Sequence, residues 1–114
     1  MGEPCDLVKR KCVPCQGGVP PLRGEELRTM AARLGGGWKI VDEHHLEKTW
    51  KFKDFKAALA FVNRVGDVAE AENHHPNICF TWGRVTVQTW THKIDGLHEN
   101  DFILAAKIDQ MPVG

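Results

Sequence analysis

The chain has 114 residues, with 15 Lys+Arg balanced by 15 Asp+Glu and a hydrophobic share of 42%. That length and apolar content suit one domain able to bury its own core without disulfides or metal. A formal net charge of zero leaves no electrostatic pull toward direct nucleic-acid binding or an anionic membrane, and no apolar run is long enough to span a bilayer.

The N-terminal sequence carries no hydrophobic stretch of signal-peptide type, so a soluble, cytoplasmic protein with reduced thiols is expected. Residues 1–22 read as an extended lead-in, because Pro4, Pro14, Pro20, Pro21, Gly17 and Gly18 break any periodic pattern. Residues 23–114 then read as a single domain. From Glu25 to Leu34 the pattern turns helical, with Leu27, Met30, Ala31 and Leu34 on one stripe, and Gly35-Gly36-Gly37 stops it. Trp38–Val41 and Leu46–Phe52 form two strands joined by the polar turn Asp42-Glu43-His44-His45, whose histidines belong to the surface.

A long helix is predicted from Asp54 to Glu72, with Phe55, Leu59 and Val62 in one apolar row and Phe61, Val65 and Val68 in another. Asn73 is placed to cap it in the left-handed conformation, and Pro76 pushes His75 into an extended one. A short strand over Ile78–Trp82, a turn at Gly83 and a strand over Arg84–His92 follow. Alternation puts Val85, Val87, Thr89 and Thr91 on the core side and His92 on the polar side. Gly96 marks a turn, and Glu99–Gln110 closes the chain as a helix. The order argues for an α+β domain, a four-stranded antiparallel sheet with three helices packed on one face.

The densest chemistry is Glu70-Ala71-Glu72-Asn73-His74-His75-Pro76, followed by Thr91-His92 and by Asp101. Histidine exchanges protons near neutral pH, which suits it to acid–base work. His74 falls at the carboxyl end of the long helix, where the helix dipole favours positive charge, and Glu70 one turn earlier acts in the same sense. His75, held extended by Pro76, should aim elsewhere, so the pair suits two roles better than one. Adjacent residues of this kind do not share a face as zinc ligands do, and no metal site is expected from them. Asp101, three residues after His98, has the position of a helix-capping carboxylate.

These residues resemble the pterin-4a-carbinolamine dehydratases. The pattern is an acidic residue, three intervening positions, His-His-Pro, an aromatic, Thr-His, a Gly-Leu turn and an Asp opening the last helix. Here it is supplied by Glu70, His74, His75, Pro76, Trp82, Thr91, His92, Gly96, Leu97 and Asp101. Gly37-Trp38, Phe52-Lys53-Asp54-Phe55 and the stretch from Phe102 to Asp109 fit as well, and the likeness covers about residues 23–110. At the position after the Gly-Leu turn, where many members carry Ser or Thr as a helix cap, this chain has His98.

The resemblance implies dehydration of 4a-hydroxytetrahydropterin to quinonoid dihydropterin, recycling the cofactor of aromatic amino acid hydroxylases. It implies His74 and His92 as the acid–base pair, His75 as a pterin-binding residue, and Glu70, Trp38 and Thr91 as lining or supporting the pocket with Pro76 and Asp101. Trp38 fits equally well as a core aromatic. The reaction calls for a proton donor and a proton acceptor, with no cofactor and no metal.

Cys12-Val13-Pro14-Cys15 resembles an extension of some bacterial and plant-type members. Such a pair can be half of a zinc site or a redox pair, but it lacks a second matching pair, so structural or incidental thiols are the preferred reading. Some members also act as dimerisation cofactors of a homeodomain transcription factor. That is a protein-binding role, which would use the long helix around Phe61, Val65 and Val68; an assembly factor with an idle pocket is a further alternative. Excess apolar surface on that helix and an exposed sheet edge predict a homodimer or homotetramer.

Overall fold

The computed structural model describes residues 20–111. The elements run α1 (Gly24–Ala31), β1 (Lys39–Val41), β2 (His45–Lys51), α2 (Phe55–Glu72), β3 (Asn77–Thr81), β4 (Arg84–Thr89), a 3-10 turn (His92–Ile94) and α3 (Glu99–Asp109). The strands form one antiparallel sheet in the order β1-β2-β4-β3, the α+β architecture the sequence implies.

The long helix is set at both ends by single residues. Asp54 is the N-cap, its carboxylate accepting from the Ala57 N–H at 2.8 Å. Asn73 ends the helix in the left-handed region at φ 52°, ψ 42°. The buried residues of α2 are Ala58, Phe61, Val65 and Ala69, at the i, i+3/i+4 spacing of one helical face. They meet Val85 and Val87 of β4 and Leu104 and Ile108 of α3. A second cluster joins Leu27 of α1, Leu46 of β2, and Phe102, Ile103, Ala105 and Ala106 of α3. Each large side chain so buried contributes roughly 1.5–3 kcal/mol.

Register explains why only one face of the sheet is covered. Leu46 opposite Thr89, Lys48 opposite Val87 and Trp50 opposite Val85 look toward the helices, while Glu47–Gln88, Thr49–Thr86 and Lys51–Arg84 occupy the other side. The open face is held by polar pairs such as Gln88 Nε2 to Glu47 Oε1 at 2.7 Å and the Thr49–Thr86 hydroxyls at 2.9 Å.

Four expectations need correction. First, α1 ends at Ala31 rather than Leu34, because the Arg33 and Leu34 amides bond to the carbonyls of Met30 and Ala31, three residues back. Leu34 still packs against the core. Second, β4 stops at Thr89, short of His92. Thr91 instead pairs with Gly96 (Thr91 N to Gly96 O, 2.8 Å), and residues 92–94 wind into the 3-10 turn. Gly96 permits this because a Cβ there would lie 2.6 Å from the Cβ of Pro21.

The third correction concerns Phe61 and Val65, both at 0% exposure; they cannot serve as a docking surface. The apolar side chains that α2 presents to solvent are Phe55 at 48% and Leu59 at 39%. Fourth, His44 and His45 are less exposed than a surface turn implies. Both are half-buried, their Nδ1 atoms lie 3.1 Å apart, and Trp90 packs against both rings. The dipeptide is polar in sequence, but the tryptophan lies far along the chain from it.

The cysteine pair Cys12 and Cys15 lies outside the described residues. Among the described residues Cys79 is a free, exposed thiol, and no helix is long and apolar enough to cross a membrane.

Candidate active site

The carboxylate of Asp101 has no solvent exposure and accepts from four donors. Its Oδ1 receives the Thr89 hydroxyl at 2.8 Å and faces His74 Nε2 at 2.7 Å. Its Oδ2 receives the Thr91 hydroxyl at 2.9 Å and the His98 backbone N–H at 3.1 Å. The last bond caps α3 from its third position, as one half of a capping box whose other half is the His98 side chain over the Asp101 backbone N–H. The other three draw the end of β4 and the end of α2 onto the same group.

Because Asp101 acts as an acceptor toward all four, the network assigns a proton to His74 Nε2. Nδ1 is then the ring nitrogen that Asp101 does not engage. The His74 side chain is 13% exposed. A carboxylate behind an imidazole holds its tautomer and orientation and steadies the charged ring when it forms.

His75 takes a different partner. Its Nε2 lies 2.5 Å from Glu70 Oε2, with the two side chains 55% and 78% exposed. Glu70 therefore engages His75, not His74 as its helical spacing implied. The left-handed residue Asn73 turns the chain out of α2 before either histidine, which is why counting along the helix mispairs them. Pro76 leads directly into β3.

His92 follows Thr91 at the start of the 3-10 turn and is exposed. Its ring stacks on Trp90, with centroids 4.6 Å apart and planes 17° apart. Thr91, by contrast, points inward to Asp101, as strand alternation requires.

The structure does not bring Trp38 to the histidines. Its indole Nε1 donates to Asp109 Oδ2 at 3.0 Å, at the far end of α3 from Asp101. Eight residues at the helical rise separate the two backbones by about 12 Å. There Trp38 meets Trp50 edge-on at 5.7 Å, and Lys48 completes the group by pairing with Asp109 Oδ1 at 2.9 Å. Trp82 is 66% exposed, in the turn after β3.

Thr89 is the site residue that sequence reasoning missed. Its signal was available: threonine at a fully buried position in a valine-rich strand face calls for a polar partner inside. Among the described residues no group of three or more His, Cys, Asp or Glu side chains is arranged to hold a metal ion.

Comparison with known proteins gives this arrangement its context. The family model for pterin 4 alpha carbinolamine dehydratase matches residues 20–111. The chain belongs to that family. The family takes its name from a hydro-lyase. A relative from Rubrobacter xylanophilus, provisionally named a pterin-4-alpha-carbinolamine dehydratase, is 58% identical over 106 residues, covering 93% of this chain and 98% of that protein. Among solved structures, a transcriptional coactivator/pterin dehydratase from Brucella melitensis superposes with a TM-score of 0.72 at 32% identity, over 78% of this chain and 95% of that one. A pterin dehydratase-like protein described as a RuBisCO assembly factor in the alpha-carboxysome reaches 0.55 at 23% identity, over 64% of this chain and 86% of that one. The last shares the fold alone.

Proposed function

We propose that this member dehydrates 4a-hydroxytetrahydropterin to quinonoid dihydropterin and water by histidine acid–base catalysis, within tetrahydrobiopterin recycling. The observation that carries the reading is the bond between His74 and the buried, fully satisfied carboxylate of Asp101. A histidine held in this way is prepared for proton transfer, which a solvated helix end does not require.

In the reaction the C4a–O bond breaks, the departing hydroxyl takes a proton and leaves as water, and N5 gives up its proton. His74 and His92 serve as the pair, one donating and the other accepting. Solvent returns both to their starting states. Each proton transfer of this kind contributes about 10²–10⁴-fold to the rate. His75, backed by Glu70, binds the pterin, and Thr91 and Thr89 hold Asp101. Trp38 in this reading serves the core at the other end of α3.

The test is the rate of 4a-hydroxytetrahydropterin dehydration followed by ultraviolet absorbance, with and without the protein, in the presence of a chelator. Acceleration that survives chelation is expected. Folded protein that gives no acceleration overturns the reading.

A second role has its own observation. Phe55 and Leu59 are exposed along α2, and Phe55 extends onto Phe80 with ring centroids 5.4 Å apart. This apolar strip suits self-association into a dimer or tetramer, or docking of a protein partner, without involving the histidines.

A further inference from the structure

Two of the three histidines are oriented by carboxylates, His74 by Asp101 and His75 by Glu70. Among the described residues no hydrogen bond holds the ring of His92. What fixes its plane is the indole of Trp90, stacked at 4.6 Å and 17°. Trp90 meets two further rings. The rings of His44 and His45 lie 5.2 Å and 5.8 Å from it, and they face one another at 5.3 Å and 83°.

Asp95, which ends the 3-10 turn, links the backbone of His92 to the same cluster. Asp95 donates its N–H to the His92 carbonyl at 3.2 Å, and its carboxylate accepts from His44 Nε2 at 2.8 Å. Asp95, Asp42 and Glu43 are all non-glycine residues at positive φ, of 49°, 54° and 54°. Such conformations persist where surrounding contacts over-determine them. His44 thus meets the segment around His92 twice, at the Trp90 indole before it and at Asp95 after it.

We propose that Trp90 is a positioning residue for His92: it sets the plane of an imidazole that has no carboxylate of its own and leaves both ring nitrogens open for proton transfer, while His44 and Asp95 hold the two turns in register. A stack serves this purpose where a hydrogen bond would occupy a nitrogen needed for chemistry. The proposal rests on the assignment of His92 to the acid–base pair given above.

The experiment compares kcat and KM for the dehydration in wild type, Trp90→Ala, Trp90→Phe and His92→Ala, together with the imidazole proton resonances of His92. Misplacement of a reacting group by an ångström costs up to about a hundredfold, so Trp90→Ala is expected to lower kcat on the order of tenfold with KM held within about twofold. Trp90→Phe, which keeps a stacking face, should recover most of the loss. The His92 resonances should sit upfield in wild type and move downfield in Trp90→Ala as the ring current is removed.

Unchanged kcat in Trp90→Ala, with the resonances moved and His92→Ala impaired, overturns the proposal and leaves the acid–base pair standing. Full turnover in His92→Ala overturns the pair itself. If Trp90→Ala does not fold, Trp90→Phe decides: retained kcat with an upfield His92 supports positioning by the stack, and lost kcat with His92 still upfield overturns it.

Discussion

His74 and Asp101 meet at 2.7 Å across 27 residues of sequence, one at the end of α2 and the other in the first turn of α3. Asp101 is at once a helix cap, the anchor of two threonines and the support of an imidazole. The fold and the proposed chemistry thus share one carboxylate.

Replacing that carboxylate should therefore cost both. Asp101→Ala leaves the Thr89 and Thr91 hydroxyls, the His98 amide and His74 without their acceptor, and buried polar groups so stranded cost about 1–3 kcal/mol each. We expect unfolding stability to fall by at least about 2 kcal/mol in a denaturant titration. Dehydration should be lost even where the variant is folded. A variant that keeps wild-type turnover would remove Asp101 from the site.

The histidines should separate by kinetic signature. His74→Ala and His92→Ala are each expected to lower kcat by about 10²-fold or more. His75→Ala should act mainly on KM, and Glu70→Gln should follow it with a smaller change. Steady-state kinetics on the three alanine variants gives the answer, and unchanged turnover in both of the first two would overturn the assignment.

Thr89→Val keeps the shape of the side chain and deletes one donor to Asp101 Oδ1. The expected cost is about 1 kcal/mol, with a drop in kcat because the group that steadies His74 has lost an anchor. Paired urea titration and kinetics would show it. Loss of stability with kcat intact would mean that Thr89 serves the fold alone.

Lys48 probes the other end of α3. Its ammonium pairs with Asp109 and lies over the rings of Trp50 and Trp38 at 5.1 and 5.8 Å, with 18% of its side chain exposed. Lys48→Met should lower stability by about 1–3 kcal/mol, since Asp109 then keeps only the Trp38 indole as its partner in this group. A thermal melt equal to wild type would count against the pairing.

Association can be read by light scattering. The wild-type protein should run as a dimer or tetramer at micromolar concentration, and Leu59→Glu should shift it toward monomer by placing charge in the exposed row of α2. A wild-type monomer would overturn this.

Much of this architecture is legible in the residues because it is local. Asp54 and Asn73 set the bounds of α2 through bonds within a turn, and Pro76 marks the exit toward β3. Alternation in β4 separates Thr91 from His92 correctly even though the strand ends before either. What escaped the sequence depends on contacts between distant segments. Glu70 stands a helical turn before His74, yet the left-handed Asn73 swings His75 onto it instead. His44-His45 reads as a polar turn, and only the approach of Trp90 makes it a half-buried cluster. Asp101 carries the signature of a cap, and nothing along the chain says that Thr89 and His74 converge on it.

The two histidine–carboxylate pairs also differ in how they can be undone. His75 and Glu70 are five residues apart, within a single stretch of backbone, and their contact persists as long as the end of α2 is wound. His74 has its partner only while α3 is docked. Because α3 supplies residues to both core clusters, the His74–Asp101 pair is lost only when the core itself comes apart. The Glu70–His75 contact is thus a property of one helix end, and the His74–Asp101 contact a property of the assembled domain.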